Sequence, residues 1–141
     1  MDLPVDRIAQ INTNPLYQAI GIELHEAMAG RARATLSPRP QVCWPSPAQP
    51  HGGILFTVMD TTMAFAALSL APDRGCATVD CSIQYPAPAQ HGPFICQAAT
   101  THQAGRTVFV RAEVTDARNT VVAFGQATFR IIEAKPAGKA A

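Results

Sequence analysis

The sequence predicts an α+β domain in which a curved antiparallel sheet wraps around one long central helix. An apolar segment at 54–70 has the length of a long helix, and four segments with strand-like character follow it. A helix that is apolar on nearly every side must be covered on nearly every side, and one curved sheet can supply that cover. At 141 residues the chain is long enough for a single domain over 1–141 with its own core. We expect a flexible tail over 133–141.

The N-terminal part predicts a short helical region, a hairpin and a stiff loop. Residues 4–20 have apolar side chains at roughly helical spacing, interrupted by Asn14-Pro15. Two segments, 21–27 and 31–36, alternate well enough to form a hairpin about Ala29-Gly30. Prolines are so frequent between 37 and 50 that this stretch is neither helix nor central strand. It is therefore a stiff loop that leads into the long helix.

The C-terminal part predicts four strands. The first, at 77–85, has a period of two that groups Val79 with Cys81 and Ile83 on one face. The other three segments lie at 94–101, 107–115 and 121–132. The turns between these last segments are short, so the strands should be antiparallel neighbours.

The composition limits the possible partners. Lys plus Arg number 11 against 10 Asp plus Glu, a net charge of +1 with no basic run, which argues against nucleic acid or an anionic membrane as partner. Charged residues make up 15% against roughly 25% in an average domain, so we expect part of the surface to be buried in an oligomer. The apolar run at 54–70 is interrupted by polar groups, which favours a buried helix over a membrane span.

The cysteines and the start of the chain predict a cytoplasmic protein with free thiols. The four cysteines form no CxxC pair and no spacing typical of zinc ligation. The first residues lack the basic-then-apolar pattern of a secretory signal.

One carboxylate, Asp60, lies in the middle of the apolar helix. A buried Asp is costly unless hydrogen bonds or a counter-charge compensate it. We therefore expect Asp60 to face a cavity or an interface and to be a candidate for chemistry. Thr57, Asp60, Thr61 and Ala64 fall at helical spacing and form a narrow polar or small stripe. The alternative is a structural carboxylate bonded to Thr57 or to backbone.

The helix begins near Gly52-Gly53, where exposed N–H groups and the positive end of the helix dipole can bind an anion or oxyanion. Alternatively, the glycines only let the loop enter a crowded core, and His51 either donates a hydrogen bond or caps the helix. His51 precedes Asp60 by nine residues, about 13–14 Å along a helix. One carbonyl group cannot contact both the N–H groups at the helix start and Asp60 of the same helix. A site that uses both therefore requires two antiparallel helices from two chains related by a twofold axis.

These features together resemble the hotdog-fold acyl-CoA thioesterases. The residues that carry the resemblance are His-Gly-Gly at 51–53, the Asp at 60, and the strand Thr-Val-Asp-Cys-Ser-Ile-Gln-Tyr at 78–85. The nearest subgroup is the one associated with phenylacetate degradation, and the resemblance covers nearly the whole chain. It implies the hotdog fold and hydrolysis of a small, medium or aryl acyl-CoA to free acid and CoA. It also implies self-association as a homodimer and as a dimer of dimers.

The resemblance assigns roles to individual residues. Asp60 matches the catalytic carboxylate, which acts as general base on water or as nucleophile. Gly52 matches the residue whose backbone N–H polarises the thioester carbonyl, and His51 matches a histidine that orders this loop. Gln49 stands where many such enzymes have Asn, so it keeps the amide on a longer arm. Thr78 aligns with a hydroxyl residue that helps to place the water.

An acyl-CoA substrate would also need residues that hold it, and nothing in the sequence singles out one basic residue for its phosphates. Expected contacts with CoA, which is part of the substrate, are Gly53, Thr61 and Arg106, with Arg118 and Arg130 as further basic candidates. Met59, Met63 and Phe65 are candidates for the walls of an acyl pocket, although such residues are more often core. No cofactor and no metal are expected, because the four histidines form no HxxxH or HxH pattern.

Two other functions are compatible with the same fold. The first is a non-catalytic protein that binds or senses acyl-CoA; the presence of Asp60 and the absence of an appended domain argue against it. The second is a dehydratase or hydratase, whose His–acid pair has a spacing that this sequence does not show.

Overall fold

The computed structural model describes residues 2–45 and 47–135, and its architecture confirms the predicted fold class. The helices are α1 (Val5–Ile11), α2 (Pro15–Ile20) and α3 (Gly52–Leu68), with a short 3-10 turn at Pro40–Val42 in the proline-rich loop. The strands are β1 (Ile22–Met28), β2 (Arg31–Leu36), β3 (Gly75–Gln84), β4 (Phe94–Ala104), β5 (Thr107–Thr115) and β6 (Val121–Ile132). Of the tail predicted at 133–141, residues 136–141 lie outside the described residues.

All six strands form one antiparallel sheet in the order β1-β2-β4-β5-β6-β3. The last three strands in sequence are neighbours, as their short turns predict. Strand β3 follows α3 directly in the chain but pairs with β6 at the far edge. The two edges of the sheet are therefore β1 and β3.

The predicted hairpin is present and is tied to the end of α3. Its turn places Ala29 at φ 48° and Gly30 at φ 79°, a left-handed conformation that glycine adopts without steric cost. The Gly30 N–H donates to Ser69 Oγ at 2.8 Å, and that hydroxyl donates to the Ala66 carbonyl at 2.7 Å. These bonds fix the C-terminal end of α3 against the first two strands.

The sheet covers α3 on most of its surface, as the apolar sequence of the helix requires. Buried positions occur on successive turns, including Val58, Met59, Thr62, Met63, Ala66 and Ala67. Met59 and Met63 are fully buried in this core, as the alternative that they are core residues predicts. No helix in the described part of the chain is long and apolar enough to cross a membrane.

One stripe of α3 is not fully covered by the sheet. Gly53 and Phe56 are exposed, and Thr57, Asp60 and Ala64 are partly exposed. These positions recur every three or four residues and so share one face of the helix. The predicted polar or small stripe is confirmed for Thr57, Asp60 and Ala64.

The alternation predicted along β3 is wrong at its N-terminal end, because the strand contains a bulge. Its pairing with β6 shifts register between Thr78 and Asp80, and Val79 is 66% exposed. Residues on either side of a bulge change phase with respect to the sheet. Cys76 before the bulge and Cys81 after it therefore both pack against the core, while Val79 does not.

Candidate active site

The N-terminus of α3 is capped by its own histidine. His51 Nδ1 accepts a hydrogen bond from the Gly53 N–H at 2.9 Å, and the His51 carbonyl accepts from the Ile54 N–H at 2.8 Å. The backbone N–H of His51 donates to Val42 in the proline-rich loop at 3.0 Å. His51 thus orders the entry to the helix by capping it, and the Gly53 N–H is already engaged.

The Gly52 N–H remains available. Among residues 2–45 and 47–135, none accepts a hydrogen bond from this group. The Gly52 carbonyl is fixed from the other side, because Tyr85 Oη donates to it at 2.8 Å. The Tyr85 ring packs against Gly52, where an added Cβ would lie 3.6 Å from it. Burial raises the pKa of Tyr85, and neighbouring Cys81 raises it further, so the phenol stays protonated and remains a donor.

Asp60 is held by the neighbouring edge strand. Thr78 Oγ1 donates to Asp60 Oδ1 at 2.8 Å, and within the described residues Asp60 Oδ2 accepts no hydrogen bond. Thr57, the alternative partner considered for this carboxylate, instead donates to the Gly53 carbonyl at 2.9 Å. The structure therefore brings together Asp60 and Thr78 and leaves one carboxylate oxygen open on the uncovered stripe of α3.

Two thiols on β3 lie close enough to Asp60 for its negative charge to raise their pKa values. Burial raises the pKa of both Cys76 and Cys81 to about 11, and the Asp60 carboxylate contributes to the shift in each. Both thiols are therefore protonated at neutral pH, which disqualifies them as thiolate nucleophiles.

Thr61 follows Asp60 on α3, and its side chain points into the protein. It is buried, and its side chain hydrogen-bonds Tyr17 on α2. The pKa of Tyr17 is raised by burial, lowered by this bond and raised again by Asp60. The expected place of Thr61 on the open stripe is therefore wrong, because its hydroxyl has turned toward α2.

A groove of about 490 Å³ lies beside the N-terminus of α3. It is lined by Gln41, Val42, Cys43, Trp44, His51, Gly53 and Ile54, and Trp44 is 70% exposed. Trp44 and Tyr85 were not identified as site residues from the sequence. For Trp44, a large aromatic in the loop before the predicted helix start is the signal that could have found it; Tyr85 is 33 residues from Gly52 in the chain, and no local signal links the two.

Gln49 takes part in this loop through its backbone. Its carbonyl accepts from the Trp44 N–H at 2.7 Å. In the described part of the chain, its side-chain amide forms no hydrogen bond with His51 or Asp60. The structure thus places Gln49 near the site but does not join its amide to the other site residues.

Arg106 lies at the opposite end of the sheet from Gly52. It occupies the turn between β4 and β5, and its Nη2 lies 3.6 Å from Glu133 Oε1. Arg74 pairs with the same carboxylate, and Arg130 donates to Thr107 at 3.3 Å. These three arginines form a basic cluster near the C-terminal end of α3. Arg118 lies in the β5–β6 turn at the other end of the sheet.

Gly52 and Asp60 are eight residues apart on one continuous helix, which corresponds to about 12 Å. One chain therefore does not bring these two groups to a single carbonyl. No three His, Cys, Asp or Glu side chains converge as a metal site within the described ranges.

Known proteins are similar to this chain in sequence and in architecture. A family model described as the thioesterase superfamily matches residues 51–123, which include α3 and the Asp60–Thr78 pair. A Halobacterium salinarum protein described as a candidate esterase is 29% identical over 133 residues, 86% of this chain and 87% of its own.

Solved structures share the fold of this chain. A conserved protein from Pseudomonas aeruginosa is 30% identical, with a TM-score of 0.78 over 84% of this chain and 94% of that one. The PaaI protein of the Escherichia coli phenylacetic acid degradation operon is 23% identical, with a TM-score of 0.79 over 90% and 91% of the two chains. A Haemophilus influenzae thioesterase at 16% identity reaches 0.83 over 97% and 96%. The chain therefore belongs to the thioesterase superfamily and has the hotdog fold.

Proposed function

We propose that this protein is an acyl-CoA thioesterase that hydrolyses small, medium or aryl acyl-CoA to the free acid and CoA. The observation that carries the proposal is the Asp60–Thr78 pair, a carboxylate held at 2.8 Å with one oxygen open on the uncovered stripe of α3. A free Gly52 N–H at the start of the same helix supplies the second requirement of thioester hydrolysis, a donor for the developing oxyanion. Membership of the thioesterase superfamily supports the same reaction class.

The active site forms between two copies of the chain. Because Gly52 and Asp60 of one helix are about 12 Å apart, the donor for each Asp60 must come from another subunit. Two α3 helices packed antiparallel along their uncovered stripes would place Gly52 of one beside Asp60 of the other. Strand β3 is the adjacent sheet edge, its backbone is open to pairing, and Val79 exposes an apolar side chain there.

In this arrangement the chemistry needs few groups. The Gly52 N–H of one subunit donates a hydrogen bond to the thioester carbonyl oxygen, which becomes negatively charged as water adds to the carbon. Asp60 of the other subunit takes the proton of that water as general base. The C–S bond then breaks, CoA leaves as thiolate and takes up a proton, and the acid is released. If Asp60 instead attacks the carbon, the C–S bond breaks, CoA leaves as thiolate and takes up a proton, and water then hydrolyses the mixed anhydride to the free acid and the restored Asp60 carboxylate.

The grooves and charges suggest how the substrate lies. The groove beside His51 and Gly53 contains Trp44, Val42 and Ile54 and offers an apolar surface to the acyl group next to the Gly52 donor. The basic cluster of Arg74, Arg106 and Arg130 carries more positive charge than Glu133 neutralises, so it is suited to the phosphates of CoA.

Subunit mixing tests both the chemistry and the shared site. Asp60→Asn removes the base, and Gly52→Pro removes the donor N–H from the first helical position, where proline is tolerated. We expect each variant alone to lose nearly all hydrolysis of acyl-CoA esters, measured as released thiol. After denaturation and refolding together in equal amounts, about one quarter of wild-type activity should return, because half of the dimers are mixed and each has one intact site of two.

Gly52→Ala is the matched control. It keeps the N–H, and its Cβ would meet Tyr85 at an ordinary contact distance of 3.6 Å, so it should remain active. No recovery on mixing would show that the site does not span two chains. Full activity of Asp60→Asn would refute the role of the carboxylate, and binding of acyl-CoA without turnover by the wild type would establish the non-catalytic alternative.

A further inference from the structure

One peptide group at the start of α3, the one that joins Gly52 to Gly53, is held at both of its polar ends by side chains. Its carbonyl, which belongs to Gly52, accepts a hydrogen bond from Tyr85 Oη at 2.8 Å. Its N–H, which belongs to Gly53, donates to His51 Nδ1 at 2.9 Å. In a trans peptide these two groups lie on opposite edges of one plane. Two side chains from distant parts of the chain therefore fix the orientation of this plane.

The plane directly follows the proposed oxyanion donor. The Gly52 N–H belongs to the preceding peptide group, whose carbonyl, that of His51, accepts from the Ile54 N–H at 2.8 Å. The two planes meet at the Gly52 Cα, and glycine restricts the rotation between them less than any other residue does. The direction of the Gly52 N–H is therefore fixed only when both neighbouring planes are held.

The bond from Tyr85 is not needed to satisfy the Gly52 carbonyl. At the first position of an α-helix, the carbonyl accepts a hydrogen bond from the N–H four residues later, and its second lone pair can accept a further donor. Tyr85 is 47% exposed, so its side chain contributes little to the buried core. The hydroxyl of Tyr85 therefore acts on the orientation of the helix start more than on the stability of the fold.

The position of Tyr85 is itself set by the sheet. Tyr85 directly follows the last residue of β3 and precedes Pro86, which disfavours a helical backbone at Tyr85. At the end of β3, Ile83 pairs with Gly125 of β6. A Cβ on Gly125 would lie 2.2 Å from the Ser82 carbonyl oxygen, so this close approach of the two strands requires glycine. Tyr85 thus connects a tightly paired end of the sheet to the start of α3.

We propose that Tyr85 is a positioning residue for the proposed hydrolysis, whose hydroxyl holds the peptide group after Gly52 so that the Gly52 N–H points at the developing oxyanion. This role rests on the proposed function for the identity of the donor and of the reaction. A donor stabilises the transition state most when it does not have to reorient during the reaction. Because Tyr85 acts on the donor and not on the acyl group or CoA, it contributes to kcat and not to KM.

Tyr85→Phe tests this role, because it removes Oη and keeps the ring. We expect kcat for hydrolysis of acyl-CoA, followed as released thiol, to fall about fivefold with KM unchanged. A fivefold change corresponds to about 1 kcal/mol, the net contribution of a typical hydrogen bond. Wild-type kcat in Tyr85→Phe, or a rise in KM in place of the fall in kcat, would overturn the proposal.

Subunit mixing gives a matched control with the same substitution. In mixed dimers of Asp60→Asn and Gly52→Pro chains, the working centre takes its donor from the Asp60→Asn chain and its carboxylate from the Gly52→Pro chain. Tyr85→Phe added to the Asp60→Asn chain should lower the recovered activity about fivefold. The same substitution added to the Gly52→Pro chain should leave it unchanged, because position 52 of that chain has no N–H to orient. Equal losses from both placements would show a general structural effect and overturn the proposal.

The backbone order of Gly52 gives a readout that does not need catalysis. We expect the NMR order parameter of the Gly52 N–H to be near the value of about 0.85 for rigid backbone in the wild type and to fall in Tyr85→Phe. The Gly30 N–H, which donates to Ser69 Oγ at 2.8 Å, is the control and should keep its order parameter.

The order parameter also separates this proposal from the proposed function. An unchanged value for Gly52 in Tyr85→Phe would overturn the positioning role even if activity falls. A lower value in a protein whose wild type hydrolyses no acyl-CoA would support the contact of Tyr85 with the helix start and overturn the proposed function. A lower value and a lower kcat, without recovery on mixing, would support the role of Tyr85 and contradict the site shared by two chains.

Discussion

Replacing Thr78 by valine removes one hydrogen bond from the candidate base and changes little else. The Thr78 hydroxyl donates to Asp60 Oδ1 at 2.8 Å, and a hydrogen bond to a charged group contributes about 1.5–3 kcal/mol. Thr78 is exposed, so the lower end of that range applies. Since 1.36 kcal/mol corresponds to tenfold in rate, we expect kcat to fall about tenfold when Oδ2 is no longer aimed by the bond at Oδ1.

Steady-state hydrolysis of an acyl-CoA series, followed by thiol release, provides the measurement. KM should be nearly unchanged, because in the proposed site Thr78 acts on the carboxylate and not on the acyl group or CoA. Thr78→Ser is the matched control, since it keeps the hydroxyl and loses only a methyl group. Wild-type kcat in Thr78→Val, or an equal loss in Thr78→Ser, would show that the observed hydrogen bond does not position the base.

Two further predictions concern substrate binding and pH. Arg106→Ala should raise KM for acyl-CoA about threefold with unchanged kcat, since an exposed ion contact contributes at most about 1 kcal/mol. Arg118→Ala, at the opposite end of the sheet, is the control and should leave KM unchanged. Equal effects of the two variants would contradict the basic cluster as the phosphate contact. Burial raises the pKa of Cys96 from 9.0 to about 12, so its contribution to stability is complete below pH 9 and is lost as pH rises toward 12. Tm should therefore fall on going from pH 9 to 11, and less steeply in Cys96→Ala; identical slopes in thermal melts would contradict this account.

The elements that local signals specify could be predicted from the sequence. The long helix follows from an uninterrupted apolar run, and the first hairpin follows from alternation on both sides of Ala29-Gly30, the turn that the structure contains. His51-Gly52-Gly53 and Asp60 locate both candidate reacting groups on that helix. Its rise per residue separates them by about 12 Å, so the sequence alone predicts a site shared by two chains if both groups act on one carbonyl.

The features that depend on pairing between distant segments could not be predicted in the same way. The bulge at Val79 is defined only by the register of β3 against β6, and without it the phase of the strand is assigned incorrectly. The inward turn of Thr61 depends on Tyr17, 44 positions earlier in the chain. The support of Gly52 by Tyr85 likewise depends on where β3 ends in space.

Strand β3 contacts both of the candidate catalytic groups of its own chain, Asp60 and the Gly52 backbone. Thr78, near the middle of the strand, donates a hydrogen bond to the Asp60 carboxylate. Tyr85, just past its end, donates one to the carbonyl of Gly52, whose N–H is the proposed oxyanion donor. In a dimer with shared centres, those two groups serve different centres. If the proposed dimer forms, a shift of this strand at one centre would also move the group that it holds at the other centre, and we expect the two turnovers to be coupled.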